Sequence, residues 1–201
     1  MLLCVDVAAA HRSLDRGQLN CPKAGCAGRL GSWGSGRQRT IRGAVGVEMR
    51  YTPRRARCRS CGGTQVLASA ATFPRHPDRA STVGAVLLAA ADGLGHRRIA
   101  QRVDLPPTTV RGWLRRARSN AHLVRHHATR WLGALDPLHS FSDITEPFAA
   151  MVEAVGRALH AWTGRYGPAD DPWSLVVILS GGALLAPAGR LANFVHPLDR
   201  A

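Results

Sequence analysis

Lysine is almost missing from this 201-residue chain: of 27 basic residues only Lys23 is not arginine. GC-rich coding turns lysine into arginine, so the bias reads as genome composition rather than mechanism. Acidic residues are also scarce, 13 against the 27, leaving a formal net charge of +14. That shortage is local. Residues 1–130 hold 23 basic and 6 acidic side chains, whereas residues 131–201 hold 4 and 7. A polyanion, most plausibly DNA, neutralises such an excess through phosphate contacts, and the basic two-thirds is where it would bind.

Other absences narrow the class further. No stretch reaches 18 uninterrupted apolar residues, and the most apolar run, residues 175–186, contains Ser180-Gly181-Gly182. It is too short and too interrupted for a membrane span, so no membrane partner is expected. The opening Met1-Leu2-Leu3-Cys4-Val5-Asp6 lacks the basic flank, apolar core and cleavage site of a signal peptide. A reduced cytoplasmic location, at the nucleoid for a DNA-binding chain, is the expectation. No phosphate-binding loop occurs, and Ser180-Gly181-Gly182 lacks the flanking glycines of a nucleophile elbow. What remains is 45% apolar, enough for one ordinary core or two small ones.

Four of the five cysteines form two close pairs, Cys21-x4-Cys26 and, 31 residues later, Cys58-x2-Cys61. Each pair places two thiolates on one tight turn, and two such turns complete a tetrahedral Cys4 zinc site. Disulfides or free thiols are the alternatives, and a reducing compartment disfavours the first. One structural zinc is the expected cofactor. The segment between the pairs reads as β-hairpin material over residues 28–33, 39–47 and 49–51, which with the cysteines makes a zinc ribbon. Residues 1–19 precede it with a short strand over 2–7 and a helical turn, and Cys4 is left over as an idle thiol. Pro74-Arg75-His76-Pro77-Asp78 reads as a turn-rich linker with a solvent-facing His76.

From Ser81 the apolar period becomes helical. Asp92-Gly93-Leu94-Gly95 ends one helix, residues 96–103 form a short second one, and Pro107 suits the first turn of a third. Ile99, Ala100, Val103, Leu105, Val110 and Trp113 occupy the slots that a helix-turn-helix fills with apolar side chains, packing its two helices around small Ala100. Asp104 stands in the turn where glycine is common. A purely structural hairpin would share this spacing, but the outward positions of the third helix are polar and basic. Thr108 and Thr109 near its N-terminus are candidates for base contacts. Arg111 and Arg115 suit bidentate bonds to guanine, while Arg97, Arg98, Arg102 and Arg118, with Arg116, suit phosphates.

Leu114, Ala117, Ala121, Val124, Ala128, Trp131 and Leu135 continue at three- and four-residue steps, predicting one long helix over residues 107–131. Its seam is expected to pack on a following helix over residues 143–162, and it also offers a homodimer contact. A loop over 164–172 and an apolar segment over 173–186 follow. The histidines His122, His126 and His127 lie on the long helix beside Arg125 and Arg130, where solvated or phosphate-facing roles are expected.

The order of knuckle, hairpin, Arg57-Cys58-Arg59-Ser60-Cys61-Gly62, basic linker and helix-turn-helix resembles the N-terminal head of bacterial insertion-sequence transposases that carry a zinc ribbon. It is also similar to short zinc-ribbon and helix-turn-helix proteins of GC-rich bacteria that lack a catalytic domain. The likeness spans about residues 20–118. It implies zinc on Cys21, Cys26, Cys58 and Cys61, recognition of double-stranded DNA by residues 108–118, and a full transposase as partner if the chain is an accessory product. The family's nuclease half does not carry over. Only 83 residues follow Arg118, and Asp136, Asp143, Glu146, Glu153, Asp170, Asp171 and Asp199 lack alternating strands to hold them together for two-metal chemistry.

The expected fold is α+β, a small β zinc ribbon followed by an all-α helix-turn-helix and C-terminal helices. Its divisions are an N-terminal segment 1–19, ribbon 20–73, linker 74–80, helix-turn-helix 81–118, helical region 119–186 and tail 187–201. The expected function is non-enzymatic, sequence-specific DNA binding, as a transposase-related accessory or truncated product or as a small transcriptional regulator. The rivals are an incomplete DNA-strand transferase completed by a partner chain, and a ribbon that binds protein.

Overall fold

A computed structural model describes residues 1–43 and 48–187. The end of the strand expected over 39–47 and nearly all of the tail 187–201 lie outside the described residues. The fold is α+β, with a β region followed by helices. Its strands are β1 (Leu2–Cys4), β2 (Leu30–Ser35), β3 (Arg39–Arg42), β4 (Glu48–Tyr51), β5 (Arg54–Cys58) and β6 (Thr64–Ser69), with helix α1 (Val7–Asp15) after the first. The helices α2 (Ala80–Ala91), α3 (His96–Val103), α4 (Pro107–Ser119), α5 (Ala121–Leu135), α6 (Pro147–Tyr166) and α7 (Pro172–Leu179) follow, and a 3-10 turn covers Ala183–Leu185.

The strands form a sheet in the order β1-β6-β5-β2 and a separate β3-β4 hairpin. The segment between the cysteine pairs is therefore two nested hairpins: β2 pairs antiparallel with β5, and β3-β4 is inset between them. The N-terminal segment is part of the same sheet, since β1 runs parallel to β6 with Leu2 opposite Leu67. Its strand stops at Cys4, because Asp6 caps α1 by accepting from the Ala9 amide at 2.8 Å. Leu14 of α1, Leu30, Ala56 and Leu67 bury one side of the sheet with Cys21 and Cys58. On the opposite side Leu3 and Ala70 join the much larger helical core. The sheet thus bridges two cores.

The expected linker is packed. Asp78 is 3% exposed, and it pairs with Arg42 at 3.2 Å. Main-chain bonds from Arg42 N to Pro77 O and from Arg79 N to Arg42 O tie it to β3. His76 is half-buried rather than solvent-facing, and burial, then Arg116, pushes its pKa down.

Helix α2 lies in the core through Val83, Val86 and Leu87, and Gly84 meets the indole of Trp173 on α7. A Cβ on Gly84 would run into the Trp173 indole at Cε2, so only glycine allows this crossing. Gly84→Ala should therefore lower stability by about 1–3 kcal/mol through overpacking, although alanine is the better helix former. Thermal unfolding checks the sign, and a raised midpoint would contradict this packing.

The expected single helix over 107–131 is divided at Asn120, which is 8% exposed. Its Nδ2 donates to the carbonyls of Ala183 at 2.8 Å and Ala186 at 3.0 Å, fastening the end of α4 to the 3-10 turn. The seam residues beyond it lie against α6, an intramolecular contact. Helix α6 starts at Pro147 rather than residue 143, because Glu146 caps it by accepting from Ala149 N at 2.6 Å, and it continues to Tyr166. Asn120→Ala removes the donor to the Ala186 carbonyl and leaves the Ala183 carbonyl only the Ala186 amide, and should cost about 1–3 kcal/mol. A chemical denaturation midpoint equal to that of the parent chain would oppose this role.

Candidate metal centre and nucleic-acid interface

Each cysteine pair is shaped by a turn. In the first, Cys26 N donates to Lys23 O at 3.0 Å and Gly25 takes φ 72°, a left-handed position suited to glycine. In the second, Gly62 N donates to Cys58 O at 3.1 Å with φ 71° at Gly62, and Cys61 N points at Cys58 Sγ at 3.5 Å. Gly28 lets the two knuckles close together, since a Cβ there would lie 2.6 Å from Cys58 Sγ.

All four Sγ atoms lie within 4.8 Å of one another. Cys21 to Cys61 and Cys26 to Cys58 are both 3.7 Å. Four sulfurs about 2.3 Å from a central ion stand about 3.8 Å apart at tetrahedral angles, so the quartet fits one metal ion. Cys21 and Cys58 are buried, Cys26 is half-buried and Cys61 is exposed. The Cys61 amide chiefly, opposed by burial, holds Cys58 down at about 6, whereas burial chiefly pushes Cys21 up to about 12. Thiolates packed this closely repel, and a divalent cation would relieve the repulsion. Cys4 stands apart, half-buried, and burial chiefly raises its pKa to about 11.

The second candidate surface is carried by α3 and α4, joined by residues 104–106. Asp104 adopts the left-handed conformation at φ 51°, filling the turn slot usual for glycine. Ile99, Ala100, Val110 and Trp113 are buried, and Val103 and Leu105 pack against them. This leaves Arg97, Arg98 and Arg102 exposed on α3, with Thr108, Arg111, Arg115 and Arg118 exposed on α4. Thr109 is half-buried. Among the described residues none of Arg97, Arg98, Arg102, Arg111 and Arg115 has a carboxylate partner. Arg118 differs, for its guanidinium lies 5.2 Å from the Phe148 ring centroid on α6.

Sequence reasoning missed a third feature. Along β5 and into the turn after it, the alternation Arg55-Ala56-Arg57-Cys58-Arg59 buries Ala56 and Cys58 and exposes the three arginines. Arg57 lies over the indole of Trp33 on β2 at 4.6 Å. The period of two was legible as a strand facing solvent, but the cross-strand partner was not. Comparisons with protein-family models, curated proteins and solved structures give no match to this chain.

Proposed function

We propose that this chain is a sequence-specific, double-stranded-DNA-binding protein that reads a major groove with α4 and holds one structural zinc ion on Cys21, Cys26, Cys58 and Cys61. The observation that carries the DNA reading is the exposed arginine surface of α3 and α4, where Arg97, Arg98, Arg102, Arg111 and Arg115 have no carboxylate partner among the described residues, built on a buried apolar contact that fixes the two helices together. Residues 96–119 contain seven arginines and one acid, Asp104. Arginines without internal partners keep their donors for phosphates and base edges. Thr108 and Thr109 sit at the N-terminal end of α4, which is the end of a recognition helix that reaches bases.

The metal reading rests on the all-thiolate donor set at tetrahedral spacing, which suits zinc or an iron–sulfur centre, with zinc the commoner choice for a closed site on two knuckles. A non-enzymatic role is supported by what the C-terminal acids do. Glu146 and Asp171 cap α6 and α7, and Glu153 accepts from Ser142 N and Arg157 Nε, both at 3.0 Å. These carboxylates are committed to helix ends and an ion pair instead of converging on one point. Among the described residues no helix is long and apolar enough to cross a membrane. The role is that of a transposase-related accessory product or a small regulator.

Selection from a random duplex pool tests the DNA reading. The expected result is one enriched motif, and failure to enrich any sequence would overturn it.

A further inference from the structure

The second basic surface of the molecule lies on the ribbon, on elements other than α3 and α4. Between residues 16 and 77 the chain has twelve basic residues and one acid, Glu48. Arg42 and Arg54 are occupied by Asp78 and Asp15. Arg55, Arg57 and Arg59 have no carboxylate partner among the described residues.

The sheet register gathers these arginines. Gly31 is opposite Arg57, and Thr64 and Val66 are opposite Arg57 and Arg55, so Arg55 and Arg57 share the sheet face turned away from α1, and the Arg59 side chain, from the turn after β5, lies beside Gly31 on the same face. Helices cover that face at the β1 edge through Leu3, but Trp33, Arg55, Arg57 and Arg59 remain exposed at the β2-β5 end. Arg55 and Arg57 stand about 6.7 Å apart along β5, a rise of the same order as the phosphate repeat of an extended single strand, and Arg59 follows in the turn.

Trp33 adds a stacking element. The residue is 50% exposed, its ring carries Arg57 at 4.6 Å, and it stands on the same face as Gly31. Arg57 Nε also donates to Gly62 O at 3.3 Å, and the Arg59 guanidinium runs beside Gly31, where a Cβ would stand 3.2 Å from its Nε. The indole and guanidinium are thus held ready, and little freedom is lost when a base stacks on them. In a duplex the base faces already stack on one another, so a flat aromatic on a basic sheet favours unpaired bases.

We infer that the β2-β5 face of the ribbon binds single-stranded nucleic acid, with an unpaired base stacked at Trp33–Arg57 and the phosphates tracked by Arg55, Arg57 and Arg59. This site is separate from the duplex-reading surface and does not depend on it.

The test uses the full chain with oligothymidylate, oligouridylate and a duplex of equal length. Binding is read by tryptophan quenching and by anisotropy of labelled strands. Trp33→Ala should weaken binding to the preferred single strand at least about fivefold, while Trp33→Phe retains most of it and both variants keep the metal content of the parent. Removing Arg55, Arg57 and Arg59 together should shallow the salt dependence by about two in slope, at roughly 0.7 per phosphate. Arg111→Ala with Arg115→Ala should leave single-strand affinity unchanged. Trp33-dependent binding of either strand supports the inference, and the tighter one identifies the sugar preferred. If neither strand binds, or binding is lost with Arg111 and Arg115 but not with Trp33, the inference is overturned. A Trp33-dependent single-strand signal without an enriched duplex motif would remove the duplex reading and leave this one standing.

Discussion

A chain stripped of metal by a chelator, or carrying Cys58→Ser, is expected to lose the ribbon while keeping the helical body. Among the described residues the ribbon's buried cluster has six members, Leu14, Cys21, Leu30, Ala56, Cys58 and Leu67, and two of these belong to the cysteine quartet that could hold a metal ion. The helical core is separate and includes Phe73, Trp113, Leu132 and Met151. Structural zinc in small finger peptides supplies on the order of 10–16 kcal/mol at neutral pH, comparable to the roughly 5–15 kcal/mol that holds a whole domain folded. Four remaining apolar side chains do not replace that. Hydrogen exchange should show β2, β5 and β6 losing protection, with α1 following because it packs on the same sheet, while α2 to α7 stay protected. Metal analysis of protein purified without chelator should find close to one zinc per chain and no visible iron–sulfur absorption. A ribbon that stays protected without metal would reject the structural role, and a coloured protein would reject zinc.

What the sequence disclosed and what it hid divide by distance along the chain. The two knuckles are set by turns of a few residues, so the grouping of Cys21, Cys26, Cys58 and Cys61 was legible from spacing alone. The same holds for the ends of α2 and α3 and the start of α4, which follow from Gly93, Leu105-Pro106 and Pro107, and for their buried positions, which follow from periodicity. The break at Asn120 was not legible, because the carbonyls that hold its side chain lie beyond residue 182. An uninterrupted apolar seam simply continues through it. Hairpin material over β3 and β4 was legible, but the strand β5 and its pairing with β2 were not, because alternation does not choose a strand's partners. Asp78 shows the opposite failure. A Pro- and Asp-rich stretch reads as a solvated linker, yet Arg42, 36 residues earlier, turns its carboxylate into a buried anchor. Trp33 and Arg57 likewise become a pair only through the sheet register.

Replacing Arg111 and Arg115 by alanine is expected to change DNA binding more than any other pair of surface substitutions. The two are four residues apart on α4, both exposed and neither ion-paired among the described residues, so they project together from one side of the helix. An arginine that reads guanine through two hydrogen bonds contributes about 1–3 kcal/mol of discrimination. Each single substitution should thus weaken the selected sequence by roughly five- to 150-fold and relax preference at one position of the motif. The α3 arginines should behave differently. Arg97, Arg98 and Arg102 carry phosphate contacts in this reading, so alanine at each should weaken all duplexes alike and reduce the salt slope by about 0.9 for every phosphate no longer neutralised. Arg118 should fall into neither group, since its guanidinium already rests on Phe148 and its removal acts partly through poorer packing. If two chains associate on DNA, the motif should contain two half-sites about one helical turn apart, and light scattering with and without DNA would show the dimer. With the seam of α5 occupied by α6 inside one chain, such a dimer would have to use a different surface. A selected motif with a single half-site and a monomeric complex would remove the dimer and keep α4 as the reader. Uniform losses from every arginine, with no position of the motif relaxed, would reduce α3 and α4 to a general polyanion surface.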